Sequence, residues 1–288
     1  MIDKYGRNVN YLKIHLTDEC NLNCIYCDLD KENKRNDLSL NQYKVIIKYM
    51  AEVGIKKVKF TGGEPTLYPY LNELIHFCKH ECNIDDISIT TNGLDLLNHV
   101  YSLKMNGLNE VNISIDSLKE YRYKAITTNG NLKQIIESIN ACLNEDIKVN
   151  INTLLIKDFN DDEVNDFLQL INYNPVNVRL IELDENKIDI NIYENGYLDV
   201  EKYLNGIEGL YKTSDNTYTY NYAKGNIIIK NKCGSCEDCS KIELTKDGKI
   251  ILCSEIKSEA DITYYLDRPL IFREILKEII IEKPKGLI

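Results

Sequence analysis

Three cysteines near the start of the chain have a spacing that suits an iron–sulfur cluster. The segment Cys20-Asn-Leu-Asn-Cys24-Ile-Tyr-Cys27 places them in one short loop after a β-rich run, with no fourth ligand nearby. Three thiolates can bind three irons of a 4Fe-4S cluster and leave the fourth iron open to the amino and carboxylate groups of a small molecule. A zinc site is the alternative, but it normally has four ligands and uses C-x2-C pairs. The spacing therefore favours a cluster with one open iron.

A second group of cysteines lies near the end of the chain. Cys233, Cys236 and Cys239 are separated by two residues each, and Cys253 follows after thirteen more. Four cysteines with C-x2-C pairs suit a tetrahedral zinc ion as well as a second cluster, so the residues alone leave both open. The remaining cysteines stand alone in segments with helical spacing, where cysteine usually packs as a small buried hydrophobe: Cys78, Cys82 and Cys142.

Short β-rich runs alternate with longer amphipathic stretches in the first two thirds of the chain. The predicted strands are Tyr11–Leu16, Lys56–Phe60, Asp86–Thr90, Glu110–Ile115, Lys148–Leu155 and Asn177–Ile181. The predicted helices are Leu40–Val53, Tyr70–Lys79, Asp95–Met105, Leu132–Leu143 and Asp161–Ile171. Strands separated by helices of this length predict a parallel α/β sheet, here a partial (β/α)6 TIM-like barrel. Ligands of such folds bind at the carboxyl ends of the strands, which is where the first cysteine loop falls.

The pattern changes after Asp184. The following residues are polar and rich in Tyr and Asn, and the predicted elements are a helix near Val200–Leu210, an apolar run at Asn226–Ile229, a hairpin at Ile242–Leu252 and a closing helix at Ile271–Ile281. This segment has few apolar residues for a core of its own. We therefore predict two domains, a barrel over residues 1–184 and a small metal-organised domain over residues 185–288.

Composition narrows the choice of partners and compartment. The formal net charge is −10, which argues against a surface that follows nucleic-acid phosphates. No apolar stretch is long enough to span a bilayer, and the first residues do not resemble a signal peptide, so we expect a cytoplasmic protein without a membrane partner. Ten cysteines in such a chain indicate metal sites and buried thiols, not a disulfide framework.

The cysteine triplet, with an aromatic residue before its last cysteine, resembles the hallmark of the radical S-adenosylmethionine (SAM) superfamily. In that family the open iron binds SAM, and an electron from the reduced cluster cleaves SAM to methionine and a 5′-deoxyadenosyl radical. The resemblance implies that Cys20, Cys24 and Cys27 are the catalytic cluster ligands and that Tyr26 lies beside the adenine. It also implies an electron donor such as flavodoxin or ferredoxin. A non-catalytic iron–sulfur or zinc protein is a competing interpretation, and the SAM motifs argue against it.

Further segments extend this resemblance to the SAM site. Thr61-Gly62-Gly63-Glu64-Pro65 is by itself a turn, but after this triplet it resembles the GGEP motif of the family. The resemblance implies that the glycines let the backbone approach SAM and that Glu64 accepts the methionine ammonium. Ser114 and Thr90 fall where similar proteins contact SAM or substrate, and Asp184 stands where a SAM-contacting Met is expected.

Over nearly its whole length the chain resembles MoaA-type GTP 3′,8-cyclases and related proteins with a twitch-type auxiliary-cluster region. The similar segments include Asp3–Arg7, Val111–Ser117, Asn152–Asp161 and Val178–Glu182. The resemblance implies that Cys236, Cys239 and Cys253 bind a second, auxiliary 4Fe-4S cluster. Cys233 is additional, and it either completes the ligation or is spare.

The residues expected to bind substrate depart from the family pattern. Lys13 and Lys59 stand where Arg is usual, Asn150 stands where Lys is usual, and Ser240-Lys241-Ile242-Glu243 replaces an Asn-Arg-x-Arg pattern. Lys lacks the bidentate fork that matches phosphate, and Glu243 would repel a triphosphate. We therefore predict hydrogen-atom abstraction from a peptide or a small metabolite, with GTP 3′,8-cyclase activity as the alternative. The predicted substrate-binding residues are Lys13, Lys59, Thr90 and Lys241.

Overall fold

The computed structural model describes residues 1–27, 37–184, 190–230, 239–254 and 256–286. Within them the strands are β1 (Tyr11–His15), β2 (Lys57–Thr61), β3 (Asp86–Thr91), β4 (Glu110–Ser114), β5 (Lys148–Leu154), β6 (Val176–Ile181), β7 (Tyr211–Ser214), β8 (Thr217–Thr219), β9 (Ile227–Lys230), β10 (Lys241–Leu244), β11 (Lys249–Cys253) and β12 (Ser258–Asp261). The α-helices are α1 (Leu40–Glu52), α2 (Leu71–His76), α3 (Val100–Asn106), α4 (Glu120–Thr127), α5 (Leu132–Asn144), α6 (Val164–Tyr173), α7 (Ile190–Gly196), α8 (Val200–Leu204) and α9 (Pro269–Ile281).

The first six strands form the barrel. β1 to β6 lie side by side in chain order, and every neighbouring pair is parallel. Each crossover between them contains at least one helix. Parallel strands in sequential order with helical crossovers confirm the predicted α/β fold, a partial (β/α)6 TIM-like barrel. Each predicted strand is present, with its ends shifted by at most one residue.

Side-chain alternation gives the barrel sheet one apolar and one polar face. Leu12 and Ile14 of β1 are fully buried in the main hydrophobic core, whereas Lys13 between them points to the opposite face. We call that opposite face the inner face. It carries Lys13, Lys59 and Asn112 together with their neighbours in register.

Strands from the last third of the chain extend the same sheet at both edges. β10 pairs with β1 in parallel and continues into the antiparallel strands β11 and β12. β9 pairs with β6 in parallel and continues into β8 and β7. The predicted hairpin over Ile242–Leu252 is therefore present as β10 and β11. The division into domains 1–184 and 185–288 stays a prediction.

Several helices differ from the predicted ones for local reasons. α4 was not predicted, because of its eight residues only Tyr123, Ile126 and Thr127 are buried and no regular apolar spacing results. The second predicted helix is α2 followed directly by a π-helical turn, Phe77–Glu81. The helix predicted near Val200–Leu210 ends at Leu204, and β7 begins at Tyr211. No helix among the described residues is long and apolar enough to cross a membrane.

Candidate active site

The first cysteine loop follows β1 and is held at its middle by the end of α4. The N–H of Asn23 donates to the carbonyl of Thr127 over 3.3 Å, and the N–H of Ile25 donates to the carbonyl of Ile126 over 3.0 Å. These bonds fix the backbone between the first and the last cysteine. α4, which the sequence pattern did not predict, is therefore an element that positions the site.

The three cysteines differ in their exposure to solvent. Cys20 and Cys24 are partly buried and Cys27 is exposed, and the N–H of Cys27 donates to the carbonyl of Cys24 over 3.1 Å. Burial raises the pKa of the Cys24 thiol to about 12, so a metal cation is needed to hold it as a thiolate at neutral pH. Among the described residues, no three Cys, His, Asp or Glu side chains lie close enough together to bind one metal ion. A 4Fe-4S cluster has no such requirement, because each thiolate binds a different iron.

The two glycines after β2 lie against the backbone of the cysteine loop. A Cβ on Gly62 would lie 2.4 Å from the carbonyl oxygen of Thr17, and a Cβ on Gly63 would lie 2.1 Å from that of Glu19. The N–H of Gly63 donates to Thr17 over 2.6 Å, and that of Glu64 donates to Glu19 over 2.7 Å. Only glycine permits this approach, because any side chain would meet backbone atoms. The pair thus joins the two loops, a role that the motif did not reveal.

Glu64 is completely buried and connects the loop after β2 to the end of β3. Its Oε1 accepts hydrogen bonds from the N–H and hydroxyl of Thr66, at 3.1 and 2.7 Å, and from the hydroxyl of Thr91 at 2.7 Å. Its Oε2 accepts the N–H of Asn92 at 2.7 Å. Burial raises the pKa of Glu64, and these hydrogen bonds oppose the rise. The predicted contact with the ammonium of SAM stays a prediction.

Asn92 and Tyr26 connect the cysteine loop to neighbouring strand ends. The Nδ2 of Asn92 lies 3.8 Å from the Sγ of Cys20. The hydroxyl of Tyr26 donates to the carboxylate of Asp116, which also accepts the N–H of Leu154 at 2.8 Å. Burial raises the pKa of Asp116, although both bonds counteract this. The ring of Tyr26 is therefore tied to the sheet, and its contact with adenine stays a prediction.

A buried hydroxyl without a protein partner lies close to the cysteine loop. Among the described residues the hydroxyl of Tyr123 has no hydrogen-bond partner, although the side chain is 1% exposed. Burial raises its pKa, and the nearby Cys24 adds to the rise. An unpaired buried hydroxyl costs about 1–3 kcal/mol, which an anionic acceptor bound at this loop would recover. Three thiols on one loop, with an unpaired buried donor near two of them, fit a 4Fe-4S cluster.

The inner face carries a charged row close to the second cysteine group. Glu243 accepts hydrogen bonds from Lys13 at 3.0 Å and Lys241 at 2.6 Å, and its carboxylate lies 2.9 Å from the Nε2 of His15. Burial raises the pKa of Glu243, but His15 and the two lysine charges outweigh it and hold the pKa far below its usual range. The structure thus brings Lys13 and Lys241 together on one carboxylate, and their predicted contact with substrate stays a prediction. Lys59 lies beside Lys13 on β2 and is nearly buried.

A row of amides lies beside the charged row. Arg179 donates to the Oδ1 of Asn112 and lies 3.5 Å from the carboxylate of Glu110. Asn150 also donates to Asn112, over 3.4 Å, and Asn177 donates to Asn150 over 3.1 Å. No motif in the sequence indicated this row as a unit. The pattern that could have indicated it is a polar residue between two apolar residues of a buried strand, as at Asn112 in β4 and Asn150 in β5.

The other predicted contacts to SAM and substrate lie at the ends of neighbouring strands. Thr90 pairs in register with Asn112, and Ser114 pairs with Asn152. Asp184 is half-buried and follows β6 by three residues. All of them lie at or just beyond the carboxyl ends of the parallel strands, where this fold binds ligands. Their roles stay predictions.

Part of the second cysteine group lies beside the charged row. Cys239 precedes β10, Cys253 ends β11, and both line one cavity together with Lys241, Glu243 and Lys283. Burial raises the pKa of Cys239, but the ammonium of Lys283 outweighs this and holds the pKa below its usual value. The remaining predicted ligands lie outside the described residues: Cys233 and Cys236.

The family follows from comparison with known proteins. Residues 14–171, more than half of the chain, match the family model described as the Radical SAM superfamily. The chain belongs to the radical SAM superfamily. Membership implies a 4Fe-4S cluster and SAM as cofactors, and it confirms that this protein is an enzyme of that superfamily.

Curated relatives place the protein on the MoaA-like branch of the superfamily. A protein of Clostridium acetobutylicum named GTP 3′,8-cyclase is 39% identical over 295 residues, which cover 98% of this chain and 93% of that protein. A protein of Clostridium botulinum strain Okra with the same name is 34% identical, covering 99% and 93%. The predicted resemblance to MoaA is therefore confirmed.

Solved radical SAM structures share the fold at low sequence identity. Streptococcus suis SuiB bound to S-adenosylmethionine superposes with a TM-score of 0.71 and 17% identity, over 97% of this chain and 67% of that one. The structure described as native anSMEcpe with bound AdoMet gives a TM-score of 0.56 and 15% identity, over 84% and 74%. At these identities the likeness establishes the barrel and nothing about the substrate.

Proposed function

We propose that this radical SAM enzyme is a GTP 3′,8-cyclase, which joins C3′ of the ribose to C8 of the base. The observation that carries this proposal is the 39% identity, over 98% of the chain, to the Clostridium acetobutylicum protein of that name. The sequence alone favoured a peptide or a small metabolite as substrate, with GTP 3′,8-cyclase activity as the alternative. The names of the curated relatives favour the GTP 3′,8-cyclase.

Cys20, Cys24 and Cys27 are the proposed ligands of the SAM-binding cluster. A 4Fe-4S cluster held by these three thiolates would supply the electron for reductive cleavage of SAM, which is the radical source of this superfamily. The chain's own part is to hold these residues in place, through Gly63 on one side of the loop and α4 on the other. Cys27 is exposed, so an electron donor such as a flavodoxin or a ferredoxin can approach the site from its side of the loop.

The inner face is the proposed substrate site. Lys13, Lys59 and Lys241 supply positive charge for phosphates, and the amide row supplies hydrogen-bonding groups. Cys239 and Cys253 adjoin the same region, because Lys241 and Glu243 line the cavity that these two cysteines share. A second cluster held by Cys236, Cys239 and Cys253, with Cys233 as an additional ligand, would therefore lie next to the substrate.

A less anionic substrate, such as a peptide or a small metabolite, is the second candidate. The observation that favours it is Glu243, whose carboxylate already pairs with both Lys13 and Lys241 and neutralises one of their two positive charges. A triphosphate at this place would meet a carboxylate in a partly dry site, where like charges repel by several kcal/mol. The Glu243 carboxylate therefore disfavours GTP as long as it stays paired with both lysines.

The test is an anaerobic assay of the reconstituted enzyme with SAM, a reductant and GTP, read by mass spectrometry and chromatography. We expect 5′-deoxyadenosine together with a cyclised GTP product, and neither from a Cys24→Ala variant. Cys82→Ala, which removes a partly buried cysteine that directly follows the π-helical turn Phe77–Glu81, is the control that should keep both products. 5′-Deoxyadenosine without any change in GTP would favour the second candidate. Intact SAM would contradict the cluster assignment itself.

A further inference from the structure

Lys283 is a buried lysine beside the second cysteine group. Its side chain is 1% exposed, and its Nζ donates to the Sγ of Cys239 over 3.1 Å. Among the described residues, the Cys239 sulfur is the hydrogen-bond acceptor of the Lys283 ammonium. A buried ammonium is unfavourable unless an opposite charge lies beside it, and a neutral thiol does not supply one.

Neighbouring cations in the same cavity have carboxylate partners. The Nε of Arg7 lies 2.6 Å from the Oδ2 of Asp3, and the Nζ of Lys241 lies 2.6 Å from the Oε1 of Glu243. In the part of the chain that the structure describes, Lys283 differs from both, because its charge faces a sulfur. An anionic group bound at that sulfur would supply the missing counter-charge.

The opening segment of the chain holds Lys283 in this position. The Nη2 of Arg7 donates to the carbonyl oxygens of Lys283 and Pro284, each over 2.9 Å, and the N–H of Lys4 donates to the carbonyl of Ile281 over 3.0 Å. The lysine is therefore fixed by the buried Asp3–Arg7 pair at the far end of the sequence. These bonds anchor the backbone on both sides of the Lys283 side chain, so its place in the cavity is fixed by the fold.

We propose that Lys283 is a positioning residue of the second iron–sulfur cluster, hydrogen-bonded to its Cys239 ligand. The inference rests on the proposed cluster at this group, and it deepens that proposal by naming a non-cysteine residue that sets the properties of the cluster. Reduction adds an electron to a centre that thiolates have already made anionic. A fixed cation at a ligand sulfur in a poorly solvated cavity stabilises the reduced form, so removing it makes the reduction potential more negative.

The experiment is a redox titration of the reconstituted holoenzyme, followed by electron paramagnetic resonance. Adding SAM separates the two centres, since only the cluster that binds SAM changes its spectrum. We expect Lys283→Met to shift the potential of the second cluster to more negative values while that of the first stays unchanged. Lys283→Arg keeps a donor and a charge and should retain the wild-type potential. Lys277→Met, which removes a partly exposed lysine of α9 paired with Glu274, should change neither.

The outcomes separate the role of Lys283 from the existence of the cluster. A wild-type protein with iron for one cluster per chain would overturn the second cluster and this inference with it. Two clusters with an unchanged potential in Lys283→Met would overturn the inference alone. Loss of the second cluster in Lys283→Met, with the SAM-responsive spectrum intact and Lys283→Arg normal, would support a required cation. Loss in both variants would overturn it, because charge would not be the property that matters.

Discussion

Glu243 is the inner-face residue whose charge bears most directly on what the enzyme binds. It holds Lys13 and Lys241, both predicted to contact substrate. Replacing it by Gln keeps the size of the side chain and releases the two lysine charges. We expect Glu243→Gln to tighten GTP binding roughly tenfold, about 1.4 kcal/mol, because one negative charge near the phosphates is removed.

Calorimetric titration of GTP into the reconstituted enzyme with SAM present measures this effect. Glu259→Gln is the matched control, because that glutamate lies on β12, pairs with Lys249 and is half exposed. Weaker or unchanged GTP binding in Glu243→Gln would mean that the phosphates do not lie beside Glu243. The triphosphate would then have to bind elsewhere on the inner face.

Glu110 makes the stability of the barrel depend on pH. Burial raises the pKa of Glu110, but the charges of Arg179 and Lys148 outweigh it and lower the pKa to about 2. A carboxyl whose pKa is lower in the folded state stabilises the fold above its ordinary pKa of 4.5 and loses that effect as pH falls toward 2. Glu110→Gln should therefore reduce the free energy of unfolding by about 3 kcal/mol at pH 7.

Urea unfolding of the cluster-free protein at several pH values tests this dependence without acid loss of iron. The difference between wild type and Glu110→Gln should shrink between pH 4.5 and 2, the interval set by the two pKa values. Glu137→Gln, an exposed position on α5, should follow the wild type throughout. A difference that stays constant with pH would show that the loss comes from packing and not from the ionised carboxylate.

At the residue scale, the sequence predicted site residues that lie close together in the chain better than contacts between residues far apart in the chain. Cysteine spacing and the Gly-Gly-Glu-Pro segment identified residues that the structure places around one loop, because such motifs are local in the chain. The bond between Lys13 and Glu243 joins residues 230 positions apart and requires knowing that β10 pairs with β1. No periodicity carries that information.

At the element scale, the barrel strands were predictable because each is a short apolar run between helical segments. β6 shows this well, because Val176, Val178 and Leu180 are fully buried and alternate with less buried residues. α4 was not predictable in this way. Its role is to hold the cysteine loop by backbone hydrogen bonds, and backbone bonds leave no side-chain pattern.

The Gly-Gly turn contacts the cysteine loop, so a substitution in the turn should affect both the stability of the fold and the SAM site. A methyl group on Gly63 would lie 2.1 Å from the carbonyl oxygen of Glu19, and backbone must move to accommodate it. We expect Gly63→Ala to destabilise the protein by about 1–3 kcal/mol and to weaken SAM binding at least tenfold, because the loop shifts as a unit. Thermal unfolding and equilibrium SAM binding measure the two effects.

Gly206→Ala is the matched control for this substitution. A Cβ at Gly206 has its nearest neighbour at 3.4 Å, the carbonyl oxygen of Tyr203, so the residue tolerates a methyl group. It should leave SAM binding unchanged. If Gly63→Ala also bound SAM normally, the close approach of the two loops would not be needed to form the site.

At the scale of the whole molecule, the sheet joins the two ends of the chain. Its order is β12-β11-β10-β1-β2-β3-β4-β5-β6-β9-β8-β7, so strands beyond residue 184 flank the barrel on both sides. Their buried residues, among them Ile229, Ile242 and Leu244, belong to the same hydrophobic core as Leu12 and Ile14. The sequence pattern indicated too few apolar residues for a separate core in this segment, and the structure shows where they pack.

This continuity predicts that residues 1–184 do not fold stably by themselves. A fragment ending there leaves β1 and β6 as unpaired edges, and it uncovers the core residues against which β9 and β10 pack. Unpaired edges with apolar faces favour aggregation. We expect the cluster-free fragment to aggregate or to unfold at clearly lower urea concentration than the cluster-free full chain, which should unfold in one transition by both circular dichroism and fluorescence. A fragment as stable as the full chain would instead mean that the barrel is an independent domain, with the later strands docked on it as a separate unit.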